Sequence, residues 1–140
     1  MSEPLYTTEI LRLAASLDEP QALEREDGRA ELRSPTCGST VSLTVQLDGQ
    51  RRVERVSMTV QACAFGQASA ALLARHSRGR THQQVSEAML ALSHWLSDAH
   101  AEPAGWPGIA ALSPARSKRG RHGAILLPFR ALLAAMEDAR

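Results

Sequence analysis

The chain has 140 residues, a formal net charge of +1, 44% hydrophobic and 22% charged residues, which describes one soluble globular domain over 1–140 and not a disordered chain. No apolar run approaches the roughly 18–20 residues of a membrane span, and the acidic start Met1-Ser2-Glu3-Pro4 is no signal peptide, so the expectation is a cytoplasmic protein without membrane contact. Two cysteines are too few for a disulfide scaffold, and 4% aromatics argues against stacked bases or sugars.

Residues 6–17 read as a short amphipathic helix with Ile10, Leu13, Ala14 and Leu17 on one face. Thr7 or Thr8 caps it, and Glu9 suits the positive end of its dipole. An acidic linker, Asp18 to Asp27, follows. Arg29 to Ser34 reads as a strand with Ala30 and Leu32 inward, closed by a turn over Pro35 to Ser39. Thr40 to Leu47 alternates polar and apolar throughout, the mark of a strand with one buried face. Asp48-Gly49 supplies a hairpin turn, and Arg52 to Gln61 is the return strand. Val56, Met58 and Val60 share a parity that Val53 breaks, so a bulge or longer turn is expected near Glu54–Arg55.

From Cys63 the pattern turns helical. Ala64 to His76 is rich in Ala and Leu, with Gly79 just beyond its end. Thr81-His82-Gln83-Gln84 has the spacing of a capping box. The helix behind it runs to about Asp98, with Val85, Ala88, Met89, Leu92 and Leu96 buried. Glu102 to Pro114 holds three prolines and two glycines and reads as a loop or a short turn of helix. The last helix is read as Ile125 to Asp138, with Pro128 tolerable only in its first turn. A helix, three antiparallel strands and a run of helices make an α+β sandwich, with the helices packed on one face of a three-stranded antiparallel sheet.

Charge is unevenly spread. Residues 1–31 carry eight acids against three arginines, whereas 115–130 carry Arg116, Lys118, Arg119, Arg121 and Arg130 and no acid. Such blocks are commonly solvated faces and mobile loops. The sharper reading makes Arg116, Lys118, Arg119 and Arg121 a docking surface for an acidic protein partner. Nucleic acid is disfavoured, because the basic cluster is short and has no aromatic inside it.

The hairpin places the two cysteines. Cys37 lies eleven residues before Asp48 and Cys63 fourteen after Gly49, so both are expected at one end of the sheet, within about 10 Å. The turn around Cys37 offers backbone N–H groups to a thiolate. Cys63 stands where strand hands over to helix, a setting that favours the thiolate. The plain alternative is that both pack as small core residues. Soft thiolates select zinc, cuprous copper or iron–sulfur species, yet two of them do not close a tetrahedral site. His76, His82, His94 and His100 show no convergence on the cysteines. His122 differs, because it follows the basic segment and precedes the last helix, which returns toward the cysteine end. No nucleophile–base pair, phosphate loop or carboxylate dyad is visible, so no enzyme is expected.

Pro35-Thr36-Cys37-Gly38, the twenty-six-residue step to Cys63, and Ala62-Cys63-Ala64-Phe65-Gly66-Gln67-Ala68-Ser69-Ala70 together resemble the NifU/IscU-like iron–sulfur cluster assembly scaffold family. Arg78-Gly79-Arg80-Thr81 resembles the family's Gly-Lys-Thr turn between two helices, and Leu5-Tyr6 to Leu13 its N-terminal helix. The insert Trp106 to Arg121 looks more like the SufU branch. The resemblance implies the sheet-and-helix sandwich just described, transient assembly of a [2Fe–2S] cluster or binding of iron, and cysteine desulfurase and apo-protein cluster acceptors as partners. SufU-like members bind zinc and accept persulfide sulfur instead. It also implies Cys37, Cys63 and His122 as metal-site residues; Cys63, at the start of its helix, is the favoured ligand or persulfide acceptor, and Cys37 the paired ligand or sulfur acceptor.

The sequence departs from the family pattern twice. Ser39 stands where the family has an aspartate, and the third cysteine is missing, its place taken by Gly123 or Ala124. His122 either matches the family histidine or stands one residue before it. Two thiolates and one imidazole are a reduced set, because iron–sulfur clusters usually take four protein ligands. They suit zinc with a water, or a cluster completed by an outside thiol or a second subunit, which leaves homo-oligomerisation open. The expected function is therefore a scaffold-like protein that binds iron, an Fe–S cluster or zinc through a reduced cysteine set and takes part in sulfur or cluster transfer. The alternatives are an adaptor that docks a desulfurase without carrying a cluster and, last, a zinc-dependent sulfurtransferase.

Overall fold

The computed structural model describes residues 6–35, 37–98 and 105–139. The elements are α1 (Thr8–Ala15), β1 (Gly28–Arg33), β2 (Thr40–Leu47), β3 (Val53–Gln61), α2 (Ala64–His76), α3 (His82–Ser97), 3-10 helices over Ile109–Ser117 and Arg119–Arg121, and α4 (His122–Asp138). Thr36, His100 and the start of the predicted 102–114 loop lie outside the described residues. Among those described, no helix is long and apolar enough to cross a membrane.

The sheet runs β1-β2-β3, antiparallel throughout. The period-two pattern of β2 sends Val41, Leu43, Val45 and Leu47 inward, all buried, and Ala30 and Leu32 lie opposite Leu43 and Val41. The parity break in β3 becomes a bulge. Gln46 pairs with Arg55 and Leu47 with Val53, so Glu54 is the extra residue and Val53 regains the buried face.

The helices gather on that apolar face, with α4 against β1 and β2 and both α2 and α3 packed on α4. Close approach depends on Gly28, where a Cβ would stand 1.9 Å from the Ala135 carbonyl oxygen of α4. Thr7 caps α1, and Thr81 with Gln84 forms the expected capping box of α3.

Three readings are corrected. The last helix begins at His122, so Pro128 lies in its second turn. Proline donates no hydrogen bond and so leaves the Ala124 carbonyl, four residues back, without its helical donor; Ser69 of α2 gives its hydroxyl to the neighbouring Ile125 carbonyl at 2.6 Å and ties this turn to α2. In α3, Met89 is only half-buried, and Trp95, absent from the predicted core, is 2% exposed. The stretch behind the prolines is a 3-10 helix over Ile109–Ser117, with Ile109, Leu112 and Ala115 in the core.

Candidate functional site

Strand register brings the cysteines to one end of the sheet. Thr40 pairs with Arg33 on one side and with Gln61 on the other. Cys37 lies three residues before Thr40 and Cys63 two after Gln61. Both thiols are free, Cys37 exposed and Cys63 partly buried.

Cys37 sits in a loop closed on itself. The Ser34 N–H donates to the Ser39 carbonyl at 2.8 Å and the Gly38 N–H to the Ser34 carbonyl at 3.0 Å. Gly38 takes φ +73°, a left-handed conformation that a side chain disfavours. The loop buries both serines while it leaves the sulfur outside. Cys37 Sγ lies 3.1 Å from Ser39 Oγ. Burial alone would push the thiol up. Hydrogen bonds from the Ser34 and Ser39 hydroxyls and the Ser39 backbone, with the charge of Arg121, outweigh it and hold the thiol below its ordinary value.

Cys63 is the N-cap of α2, with extended backbone and no side-chain capping bond. Its carbonyl accepts from the Gln67 N–H at 3.0 Å, and Gln67 Nε2 donates to the Ala62 carbonyl at 3.1 Å. The handover from strand to helix is therefore fixed, and Cys63 packs at the edge of the apolar core. Its neighbour Phe65 is fully buried, under the ring of Tyr6 at 5.2 Å between centroids.

The basic segment is anchored rather than loose. Arg116 lies over the Trp95 ring, 4.7 Å from its centroid, and donates to the backbone carbonyls of Trp95 and Asp98. Trp106 donates its indole N–H to the Leu72 carbonyl at 2.8 Å and lies under Arg80. Of the four basic residues expected to dock a partner, Arg116 is thus engaged inside the fold, Lys118 and Arg119 are exposed, and Arg121 is half-buried with its charge felt at Cys37.

His122 is half-buried, with Nε2 placed 2.9 Å from the Ala115 carbonyl and 3.2 Å from that of Arg116. Two carbonyl acceptors require the proton on Nε2. Among the described residues, no three His, Cys, Asp or Glu stand together as a group able to hold a metal ion, so Cys37, Cys63 and His122 do not form one. His82 faces Glu137 at 3.6 Å and His94 faces Asp98 at 3.5 Å. His76 is half-buried, and its burial together with Arg75 and Arg80 lowers its pKa.

The hydroxyls of Ser34 and Ser39 are the functional groups that sequence reasoning missed. In the sequence, Ser39 stands out only as the residue at the family's aspartate position. Two serines bracketing Pro-Thr-Cys-Gly are a faint signal, meaningful once the loop closes and turns both toward sulfur.

The model of the NifU-like N terminal domain family matches residues 5–97. Among solved structures, the chain is similar to the N-terminal part of a nitrogen-fixing NifU-like protein from Brucella abortus. The TM-score is 0.87 at 29% identity, over 96% of this chain and 94% of that one. A putative iron–sulfur cluster assembly scaffold protein for the SUF system from Fervidobacterium islandicum AW-1 shares the fold, with TM-score 0.80 at 22% identity over 94% and 96% of the two chains. A search of curated proteins finds no match.

Proposed function

The chain belongs to the family of NifU-like N-terminal domains, and from that premise we propose that it serves iron–sulfur cluster assembly as a non-enzymatic, single-domain carrier of sulfur and metal, working through Cys37 and Cys63. The observation that carries this reading is the setting of Cys37: an exposed sulfur at the shared cysteine end of the sheet, on a buried serine hydroxyl and within the field of Arg121. Hydroxyl donors and a cation stabilise anionic sulfur. Cys37 therefore suits the acceptor role better than Cys63, which is partly buried at the core edge.

The donor set does not fit a cluster held by this chain alone. Iron–sulfur clusters usually take four protein ligands. Here there are two thiols, a serine whose hydroxyl meets Cys37 sulfur, and a histidine whose Nε2 is bound to carbonyls. A cluster carried as cargo needs further ligands from an outside thiol or a second subunit, and zinc would need waters or other outside donors.

Sulfur transfer makes a smaller demand. The Cys37 thiolate attacks the outer sulfur of a desulfurase persulfide, the S–S bond of that persulfide breaks, and the desulfurase cysteine leaves as thiolate while Cys37 becomes the persulfide. The test is anaerobic purification with iron, zinc and acid-labile sulfide measured on one sample, followed by loading with a desulfurase and cysteine. Cys37→Ser is expected to abolish persulfide loading. Loading of both Cys37→Ser and Cys63→Ser at the wild-type level would end the proposal.

The second reading is an adaptor that binds a desulfurase without carrying sulfur or cluster. The exposed Lys118 and Arg119 favour it. Desulfurase capture by the Cys37→Ser/Cys63→Ser protein, with no metal on the wild type, would support it.

A further inference from the structure

His122 is the residue whose expected role and observed contacts diverge most. Its Nε2 has two backbone carbonyls within reach, Ala115 at 2.9 Å and Arg116 at 3.2 Å. Both belong to the 3-10 helix of the insert, the segment that also buries Ile109, Leu112 and Ala115 and lays Arg116 over Trp95. The next residue on one side is Arg121, and α4 begins at His122 itself. The imidazole therefore bridges the end of the insert and the start of α4, at the corner that carries Arg121.

We propose that His122 is a positioning residue and not a metal ligand: its Nε2–H clamps the carbonyls of Ala115 and Arg116, braces the insert against α4, and so fixes the corner that carries Arg121. The inference is independent of whether iron, zinc or persulfide is ever carried, because the brace is formed inside the chain. The Ala115 carbonyl also accepts from the Lys118 N–H at 2.9 Å, where the 3-10 helix ends; hydrogen-bond geometry in a 3-10 helix is poorer than in an α-helix, and a donor from the next element strengthens that end without adding a residue to it. Arg116 supplies the same service from the other direction, donating to the carbonyls of Trp95 and Asp98 at the end of α3.

The substitutions that test this separate a donor from a ligand. A glutamine amide nitrogen reaches about where Nε2 stands, whereas an asparagine amide reaches only to the Nδ1 position. Neither amide is a good ligand for a thiophilic metal. The basic segment offers its own readout, because trypsin cuts after Arg116, Lys118, Arg119 and Arg121 and proteolysis tracks the population of the opened state. In the full-length protein, His122→Asn is expected to speed tryptic cleavage within 116–121 about fivefold, the effect of losing one hydrogen bond. His122→Gln is expected to restore slow cleavage.

With Cys63→Ser as background, His122→Asn and Arg121→Gln are each expected to raise the pH midpoint of Cys37 alkylation. The double variant is expected to raise it no further than Arg121→Gln alone, because the two residues act as a unit. Circular dichroism melts of each variant confirm that the fold is kept. Equal cleavage of all His122 variants and wild type would overturn the brace. So would parallel loss of bound metal in His122→Asn and His122→Gln with Cys37 alkylation unchanged, which would return His122 to the ligand set. Failure of persulfide loading in the earlier experiment leaves these outcomes unaffected, so the two readings fail separately.

Discussion

Replacing Ser39 by alanine isolates what the loop does for Cys37. The hydroxyl lies 3.1 Å from the sulfur and the serine is 6% exposed, so water does not substitute for it from the serine's side. A hydrogen bond to a charged group contributes ~1.5–3 kcal/mol net. Cys37 itself is exposed, solvent competes for the sulfur, and Ser34 and Arg121 remain in place, so about 1 kcal/mol is a reasonable share. That corresponds to roughly fivefold in the thiol–thiolate equilibrium. The assay is alkylation of Cys37 by iodoacetamide across pH, with Cys63→Ser as background. The midpoint of the profile is the quantity to compare, because a thiolate of lower pKa is also a weaker nucleophile and a single-pH rate mixes the two effects. Ser39→Ala is expected to move the midpoint up. Ser39→Asp, which puts a carboxylate beside the sulfur, is expected to move it further in the same direction. The sign carries over to stability. The folded thiol titrates below its ordinary value, so its contribution is present above the unfolded pKa and fades as pH falls through the folded one. Ser39→Ala should therefore cost more stability in alkaline buffer than at pH 6. A midpoint that stays in place or falls in Ser39→Ala would refute the reasoning.

Other outcomes follow from the same structure. Gly28→Ala forces a Cβ against the Ala135 carbonyl at 1.9 Å and is expected to cost about 1–3 kcal/mol, read as a lower melting temperature with Cys37 reactivity unchanged. Asp27 accepts from the Leu47 N–H at 2.7 Å and pairs with Arg25. The Leu47 bond, opposed by burial and helped by Arg25, holds its carboxyl below the ordinary value. The stability this adds is present above the ordinary carboxylate range and lost as pH falls through the lowered pKa, so Asp27→Asn is expected to flatten the acid limb of a pH–stability curve. Lys118→Glu with Arg119→Glu is expected to weaken desulfurase binding and leave the melting temperature within about 1 °C, as exposed charges do. Arg116→Ala should instead lower the melting temperature, because Arg116 holds Trp95 and Asp98.

The sequence by itself determined whatever is written in local period and local chemistry. Strict alternation located β2, the parity of Val53 against Val56 announced the bulge at Glu54, and Thr81 with Gln84 marked the start of α3. Strand lengths on either side of the hairpin sufficed to put Cys37 and Cys63 at one end, because a strand advances by a fixed rise. The insert read only as a loop or a short turn of helix, because a 3-10 helix with Pro114 inside it has no apolar period to read, and its anchors are Trp95 and Trp106 meeting Arg116 and Arg80 across elements.

The tertiary structure alone decided the rest. Ser69 meets Ile125 across 56 residues and ties the start of α4 to α2. The field of Arg121 reaches Cys37 from the far side of the chain. His122 sets its Nε2 against the carbonyls of Ala115 and Arg116. Every residue carries a carbonyl, so a side chain that seeks one leaves no mark in the order of amino acids, and only packing shows which carbonyl it finds.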